Sequence, residues 1–391
     1  MVNKRFVLAE DTIDQKDIQE LISWLEGGPW LTQGTLVKEF ERQWAEWLGV
    51  RFSVAVNSGS SANLLMYYGL LISGKLKNNK VVVPAIGWAT TVTPAIQLGF
   101  DPIMCEADPL TWGLDPDYLE SLVKTHDPGC VILVHVSGMP CQMDQILHLQ
   151  EKYGFLLMED CCGAHGSKFD DKLVGTMGDV STFSFYFGHH ISTIEGGMVC
   201  TNDEQLADLF LSIRSHGWAR ELATEKAESL AKEWEVVDFN RPFTFYYPGF
   251  NLRTTDLNAK LGLSQMTKLN QVVETRIRNH ISYQDSLQSV PGIGFQRNPR
   301  GTTSSISFPA LAANGEHRER IGRALREHGI ETRPVGGGNM SRQPFWVRQF
   351  GAQEFPMADR VHHAGFQVPN HGYLTSEDIA FICEVVKGAS N

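Results

Sequence analysis

Along this chain the spacing of apolar residues switches repeatedly between the helical and the strand period. An amphipathic stretch over residues 13–25, the loop GGPWLTQGT and a second helix with Val37, Phe40, Trp44 and Trp47 on one face come first. Gly49 is placed to close that helix as its C-terminal cap. Short apolar runs then alternate with helical stretches: FSVAV from residue 52, VVVP from 81, PIMCEA from 102, CVILVHV from 130, FLLMED from 155 and FSFY from 183. Between them Asp115-Pro116 reads as an N-cap with proline at the first helical position, and residues 142–153 as the helix feeding FLLMED. Such alternation predicts an α/β fold with a mainly parallel sheet covered by helices.

The pattern then changes. Residues 219–255 hold no sustained period and are rich in aromatics and proline (RPFTFYYPGFNLR), as expected of a structured functional loop. A long helical tract follows over residues 255–287. After PGIGF a smaller unit carries SSISFPAL, a helix over 316–328, ETRPV and a last helix over 376–387. The expected division is a large cofactor-binding lobe, 1–250, and a linking helix with a small C-terminal α/β lobe, 251–391.

Composition narrows the class. At 391 residues, 42% hydrophobic and 20% charged, the chain is ordinary globular protein with room for more than one lobe. A net charge of −11 argues against nucleic acid or an acidic membrane as partner, though it leaves room for a local cationic pocket. The seven cysteines are scattered, without a CxxC pair, and mostly lie in apolar runs, as expected of buried thiols in a reducing compartment. With no leader-like segment and no apolar run of membrane-spanning length, the expected location is the cytoplasm.

Candidate chemistry sits where predicted strands end, the place where open α/β sheets bind ligands. Asn57-Ser58-Gly59-Ser60-Ser61-Ala62 lies between a strand and a helix and is either a phosphate cradle or a plain N-cap turn. Trp88 opens the helix after VVVPAIG, free to stack on an aromatic ligand or to pack in the core. Asp160 ends FLLME, where a carboxylate can hold a cationic ring nitrogen or cap the next helix. Cys161-Cys162 beside His165 are too tightly spaced to supply a closed metal set, so no metal is expected. In FSFYFGHHISTIEGG, residues 183–197, two adjacent histidines, His189 and His190, follow an aromatic run and precede a Glu-Gly-Gly turn. Taken alone such a pair is either catalytic or structural.

Together these stretches resemble the DegT/StrS family of pyridoxal-phosphate sugar aminotransferases, of the aspartate aminotransferase fold (fold type I). The likeness covers nearly the whole chain: LTQGTLVKEFE, NSGSSA, VPAIGWATT, EDCCGAHGS, FSFY and EGG, IRSHGW, PGFNLRTTDLNAKLGLSQ and GIETRPV. It implies that Gly59, Ser60 and Ser184 bind the cofactor phosphate, that Trp88 stacks on its ring and that Asp160 pairs with the pyridine nitrogen. Asn251 would reach the phosphate of the neighbouring subunit's cofactor, making a homodimer the working unit. His216, Arg220 and Arg333 are candidates for contact with the substrate.

One departure changes the implied reaction. The family's lysine stands six residues before the Glu of EGG, and here that position is His189. The chain is thereby similar to a small branch of 3-dehydratases, lyases acting on nucleotide-linked 4-keto-6-deoxyhexoses, in which the lysine is a histidine. GGGNM at 336 and VPNH at 368 also resemble the GDP-sugar member of that branch, which serves colitose synthesis for lipopolysaccharide O-antigen. The resemblance implies untethered pyridoxamine 5′-phosphate, His189 as acid–base catalyst, and re-amination of the resulting pyridoxal 5′-phosphate by glutamate. Position 163 is Gly, where the aminotransferases usually have Gln and the dehydratases an acidic residue. Two other classes stay open: an aminotransferase using another lysine, Lys168 or Lys172, and a non-catalytic protein that kept the pocket.

Overall fold

The computed structural model of the chain describes residues 5–390. The first four residues of the opening segment, and the final Asn391 of the expected C-terminal lobe, lie outside the described residues. Helices α1 (Gln15–Glu26) and α2 (Thr35–Leu48) precede the first strand. Strand and helix then alternate as β1 (Phe52–Val56), α3 (Gly59–Ile72), β2 (Lys80–Pro84), α4 (Ala89–Gln97), β3 (Asp101–Cys105), α5 (Pro116–His126), β4 (Cys130–Val134), α6 (Met143–Tyr153) and β5 (Leu156–Asp160). Two short strands, β6 (Lys168–Phe169) and β7 (Lys172–Leu173), lead to β8 (Val180–Ser184), β9 (Gly197–Thr201), α7 (Glu204–Arg214) and α8 (Thr224–Glu233). The rest comprises α9 (Asp256–Met266), α10 (Leu269–Leu287), β10 (Gly301–Thr302), β11 (Ser307–Leu311), α11 (Gly315–Glu327), α12 (Pro344–Phe350), α13 (Pro356–Ala364), β12 (Gly365–Pro369) and α14 (Ser376–Ser390).

Seven strands form one sheet in the order β1-β9-β8-β5-β4-β2-β3. Only β9 runs against its neighbours, pairing antiparallel with both β1 and β8. Because helices cover both faces, the central strands are continuous apolar runs rather than alternating ones, and all of Val81, Val82, Val83 and Val131, Ile132, Leu133 are buried. α3 is apolar nearly all round for the same reason, packing on β8 and β9 while α4 and α7 lie against it. A separate core forms around the antiparallel pair β11–β12, where Tyr283, Phe308, Ile321, Phe366 and Ile382 meet. Phe6 joins that core, through a bridge to Ile330.

Several boundaries differ from the sequence expectation. The strand expected at FSFY instead spans Val180–Ser184, and the chain leaves the sheet there. Phe185 stays buried, whereas Tyr186 and Phe187 are exposed, so the aromatic run is half strand end and half loop. The tract at 255–287 is two helices broken at Thr267 and Lys268. Residues 219–255 hold α8 and a short 3₁₀ turn over Asp238–Phe243. Trp47 is partly buried against the core beside Trp44, its indole N–H donating to Asn270 Oδ1 at 2.8 Å. Gly49 caps α2 as expected, with φ of 85°. The start of α2 is capped from far away: the buried Asp256 carboxylate accepts from the N–H groups of Gly34 (2.8 Å), Leu36 (3.3 Å) and Val37 (3.0 Å).

Candidate active site

At the carboxyl ends of the parallel strands lies a cavity of about 550 Å³. Gly59, Ser60, Trp88, Asp160, Ser184, His189 and Arg333, seven of the residues singled out in the sequence, line it. One wall is the turn into α3. Ser58 caps the helix, its Oγ accepting from Ser61 N–H at 3.0 Å and its carbonyl from Ala62 N–H at 3.0 Å. The N–H groups of Gly59 and Ser60 are left at the positive end of the helix, where an anion is favoured. Close approach builds this turn: a Cβ on Gly59 would lie 2.5 Å from Ser184 Cβ, and one on Gly197 would lie 2.3 Å from the Ser58 carbonyl oxygen. Ser60 Oγ donates to Thr90 Oγ1 at 3.1 Å, and Trp88, 59% exposed, stands at the head of α4.

The floor is Asp160 at the end of β5. Its Oδ2 accepts from Asn63 Nδ2 (2.9 Å) and Thr91 Oγ1 (2.7 Å), and its Oδ1 from Cys162 N–H (3.1 Å). Thr182 Oγ1 donates to Asn63 Oδ1 at 2.6 Å, which fixes the amide with its N–H toward the carboxylate. All three partners of Asp160 are neutral, so a buried carboxylate faces the cavity with its charge unmatched, and a cation there would be strongly favoured. Asn63 and Thr91 were not singled out in the sequence. A polar residue one turn into the otherwise apolar α3 is the signal that marks Asn63.

His189 and His190 part company here. His189 lines the cavity, with Nδ1 buried and unbonded. Burial, with the Arg276 and Arg333 charges, pushes its pKa down to about 3, so the ring is unprotonated at neutral pH. His190 points away, stacked on His165 with ring centroids 4.8 Å apart and Nε2 2.9 Å from Ser304 Oγ. Arg276 braces the loop, its Nη2 donating to the His189 carbonyl at 3.2 Å. A Cβ placed on Gly163 would make ordinary van der Waals contact with Ile306 Cγ2, at 3.5 Å.

His135, Glu159 and Cys161 lie close enough to suggest a metal centre, yet hydrogen bonds occupy the ligand atoms of His135 and Glu159. His135 Nδ1 accepts from Cys141 N–H at 3.1 Å, so Nε2 carries the proton and donates to Glu159 Oε2 at 3.1 Å. Glu159 also accepts from the N–H groups of Gly175, Met177 and Gly178. Burial raises its pKa, but His135 and these N–H donors bring it below the usual carboxylate range.

His216, Arg220 and Asn251 are not brought to this cavity. They form a second patch, where Ser215 bridges Asn251 and Trp218 bridges Phe245. Arg220 lies over the Trp218 ring at 3.8 Å, and Asn251 Oδ1 accepts from Arg253 Nε at 3.1 Å. Among the described residues no lysine lines the cavity, so neither Lys168 nor Lys172 is placed to serve it. No described helix is long and apolar enough to cross a membrane.

GDP-4-keto-6-deoxy-D-mannose 3-dehydratase of Yersinia pseudotuberculosis is 32% identical to this chain over 395 positions, covering 99% of each. The solved structure of the E. coli enzyme of that name with bound hydrated PLP matches with a TM-score of 0.88 at 29% identity, over 97% of this chain and 99% of the other. A structure of GDP-4-keto-6-deoxymannose-3-dehydratase with a trapped PLP-glutamate geminal diamine matches with a TM-score of 0.89 at 29% identity, over 97% and 100%. The profile of the DegT/DnrJ/EryC1/StrS aminotransferase family matches residues 11–387, and the chain belongs to that family.

Proposed function

We propose that this protein is a 3-dehydratase that uses pyridoxamine 5′-phosphate to convert a nucleotide-linked 4-keto-6-deoxyhexose, GDP-4-keto-6-deoxymannose foremost, to the 4-keto-3,6-dideoxy sugar. Glutamate regenerates the pyridoxamine form. The observation that carries this reading is His189, which lines the cavity six residues ahead of Glu195, where the family's aminotransferases hold lysine.

The residues present fit the cofactor. An unmatched buried carboxylate, Asp160, suits a protonated pyridine nitrogen, and the N–H groups of Gly59 and Ser60 with the Ser184 hydroxyl suit a phosphate. Trp88 offers its indole face to the ring. When bound, the cofactor supplies the amine that condenses with the 4-keto group and a ring able to take up an electron pair. His189 does the proton work. Neutral at rest, it takes a proton from the carbon bearing the amine and delivers it to the departing 3-hydroxyl oxygen. Imidazole forms no stable imine, so the cofactor is held by these contacts alone.

A homodimer completes the site, with Asn251 reaching the partner's cofactor phosphate and His216 and Arg220 its sugar nucleotide. Their gathering into one patch outside the cavity supports this. Residues 1–250 serve as the cofactor-binding lobe and 251–391 as linking helix and small lobe; the core around Phe308 supports a small lobe, one that Phe6 joins. All seven cysteines are free thiols, which favours the cytoplasm.

The test is incubation with cofactor, glutamate and a panel of 4-keto-6-deoxy nucleotide sugars, with product masses read. A sugar lighter by one oxygen atom, with ammonia and 2-oxoglutarate released, is the expected result. A 4-amino sugar would overturn the reading in favour of transamination.

A further inference from the structure

We propose that Asn63 is a positioning residue for the cofactor ring: acting through Asp160, it makes one helix, α3, hold both ends of a cofactor that no imine tethers. This rests on the reading of the cavity as a pyridoxamine phosphate site. At its first turn α3 presents the N–H groups of Gly59 and Ser60 to a phosphate. Asn63 stands four residues on, about 6 Å further along the same helix, and its Nδ2 donates to Asp160 Oδ2 at 2.9 Å. A single rigid element thus meets the phosphate directly and the ring nitrogen through Asp160.

The direction of each bond follows from the acidic end. A carboxylate accepts, so Asn63 faces Asp160 with its nitrogen and turns its Oδ1 to Thr182, whose hydroxyl must donate. Thr91 donates to the same Oδ2, and α3 holds Thr91 as well: the Tyr67 hydroxyl, one turn beyond Asn63, donates to the Thr91 carbonyl at 3.0 Å. Oδ2 therefore takes two donors and Oδ1 one, the Cys162 N–H, which leaves Oδ1 the less committed oxygen for a ring N–H. Asn63, Tyr67, Thr91 and Thr182 are all buried, so the carboxylate is aimed before any ligand arrives. The position of Asn63 points to its use. Its buried neighbours on α3 include Ala62, Leu65, Met66 and Leu70, against which a leucine would pack without loss, whereas an amide there has to be desolvated. What the amide supplies in exchange is a fixed Asp160.

The test compares two ligands on cofactor-free protein by titration calorimetry. One is pyridoxamine phosphate; the other is its analogue with CH in place of the ring nitrogen, which keeps the phosphate and the amine. Asn63→Leu is expected to weaken pyridoxamine phosphate by about tenfold, the lower end of what a hydrogen bond to a charged group is worth, because the carboxylate that meets the ring nitrogen is no longer held. The analogue should change by no more than about twofold, since nothing in it reaches for Asp160. Thr182→Val keeps the side-chain shape but frees the Asn63 amide to turn its oxygen toward Asp160, and it should act in the same selective sense. The comparison therefore does not depend on Asn63→Leu folding. Inorganic phosphate, which needs the α3 turn alone, should bind both variants as it binds the wild type. Equal losses for the two ligands, or unchanged affinity for pyridoxamine phosphate in both variants, overturns the role of Asn63. Wild-type protein that binds neither ligand overturns the reading of the cavity, and the role of Asn63 with it.

Discussion

Two adjacent imidazoles, both held neutral by burial, are given different work by what they face. His189 meets the cavity, while His190 meets Ser304 and the His165 ring. His189→Asn should leave cofactor binding intact, since Asp160 and the α3 turn are untouched. It should lower dehydration by about a hundredfold to ten-thousandfold, the range for a lost acid–base group. His190→Asn should cost stability instead, read as a lower urea midpoint, because it removes a packed ring and strands the Ser304 hydroxyl. Near wild-type dehydration by His189→Asn would move the catalytic role elsewhere. In the sequence the spacing to Glu195 picks out His189, the one of the two that lines the cavity. Thr91 left no such trace, because its significance is a hydrogen bond to Asp160 that only the folded chain brings about.

At the level of elements, the parallel strands were legible because buried parallel strands are continuous apolar runs. β9 was not, since GMVCT starts on the last glycine of the Glu-Gly-Gly turn and carries no alternation of its own. The aromatic FSFY read as strand because aromatics favour pleated surfaces, yet its last residue, Tyr186, forms cavity wall. Capping across distant sequence was equally hidden: nothing local announces that Asp256, heading α9, also serves the start of α2. Asp256→Ala is expected to destabilise the protein by about 1–2 kcal/mol, as loss of a helix cap does. Urea titration would show it, and an unchanged midpoint would refute it.

Across the whole molecule, buried histidines set the response to acid. His165, His189, His190 and His280 are all pushed down by burial, His189 and His280 to about 3. Unfolded, each takes up a proton near pH 6.5. Below that value the unfolded state binds more protons, so the stability these neutral rings contribute is present above about 6.5 and lost as pH falls toward 3. The urea midpoint of cofactor-free protein should therefore drop between about pH 7.5 and about pH 5; a level or rising midpoint would contradict this. The second whole-molecule expectation concerns assembly. Phe239 is 93%, Phe243 72% and Trp234 64% exposed, beside the patch holding Arg220 and Asn251. Such apolar surface marks a contact site. Specific activity should fall on dilution, together with dissociation seen by sedimentation, and Phe239→Ser with Phe243→Ser should give folded, inactive monomers. Full activity in a dilute monomer would exclude the shared site.

The close approach of Gly197 and Ser184 to the turn at Ser58 and Gly59 has a consequence for the holoprotein. The paired ends of β8 and β9 meet the distant turn into α3 around the proposed phosphate seat, so a phosphate bound there would act as a removable staple on the sheet's reversed strand and its neighbours. Ligand that binds only the folded chain adds about 2.7 kcal/mol of stability at a hundred times its dissociation constant. Cofactor should therefore raise the melting temperature of the wild type. Gly197→Ala, whose methyl would collide with the Ser58 carbonyl, should lose that increment: thermal protection by ligand reports whether the three segments still close on one another.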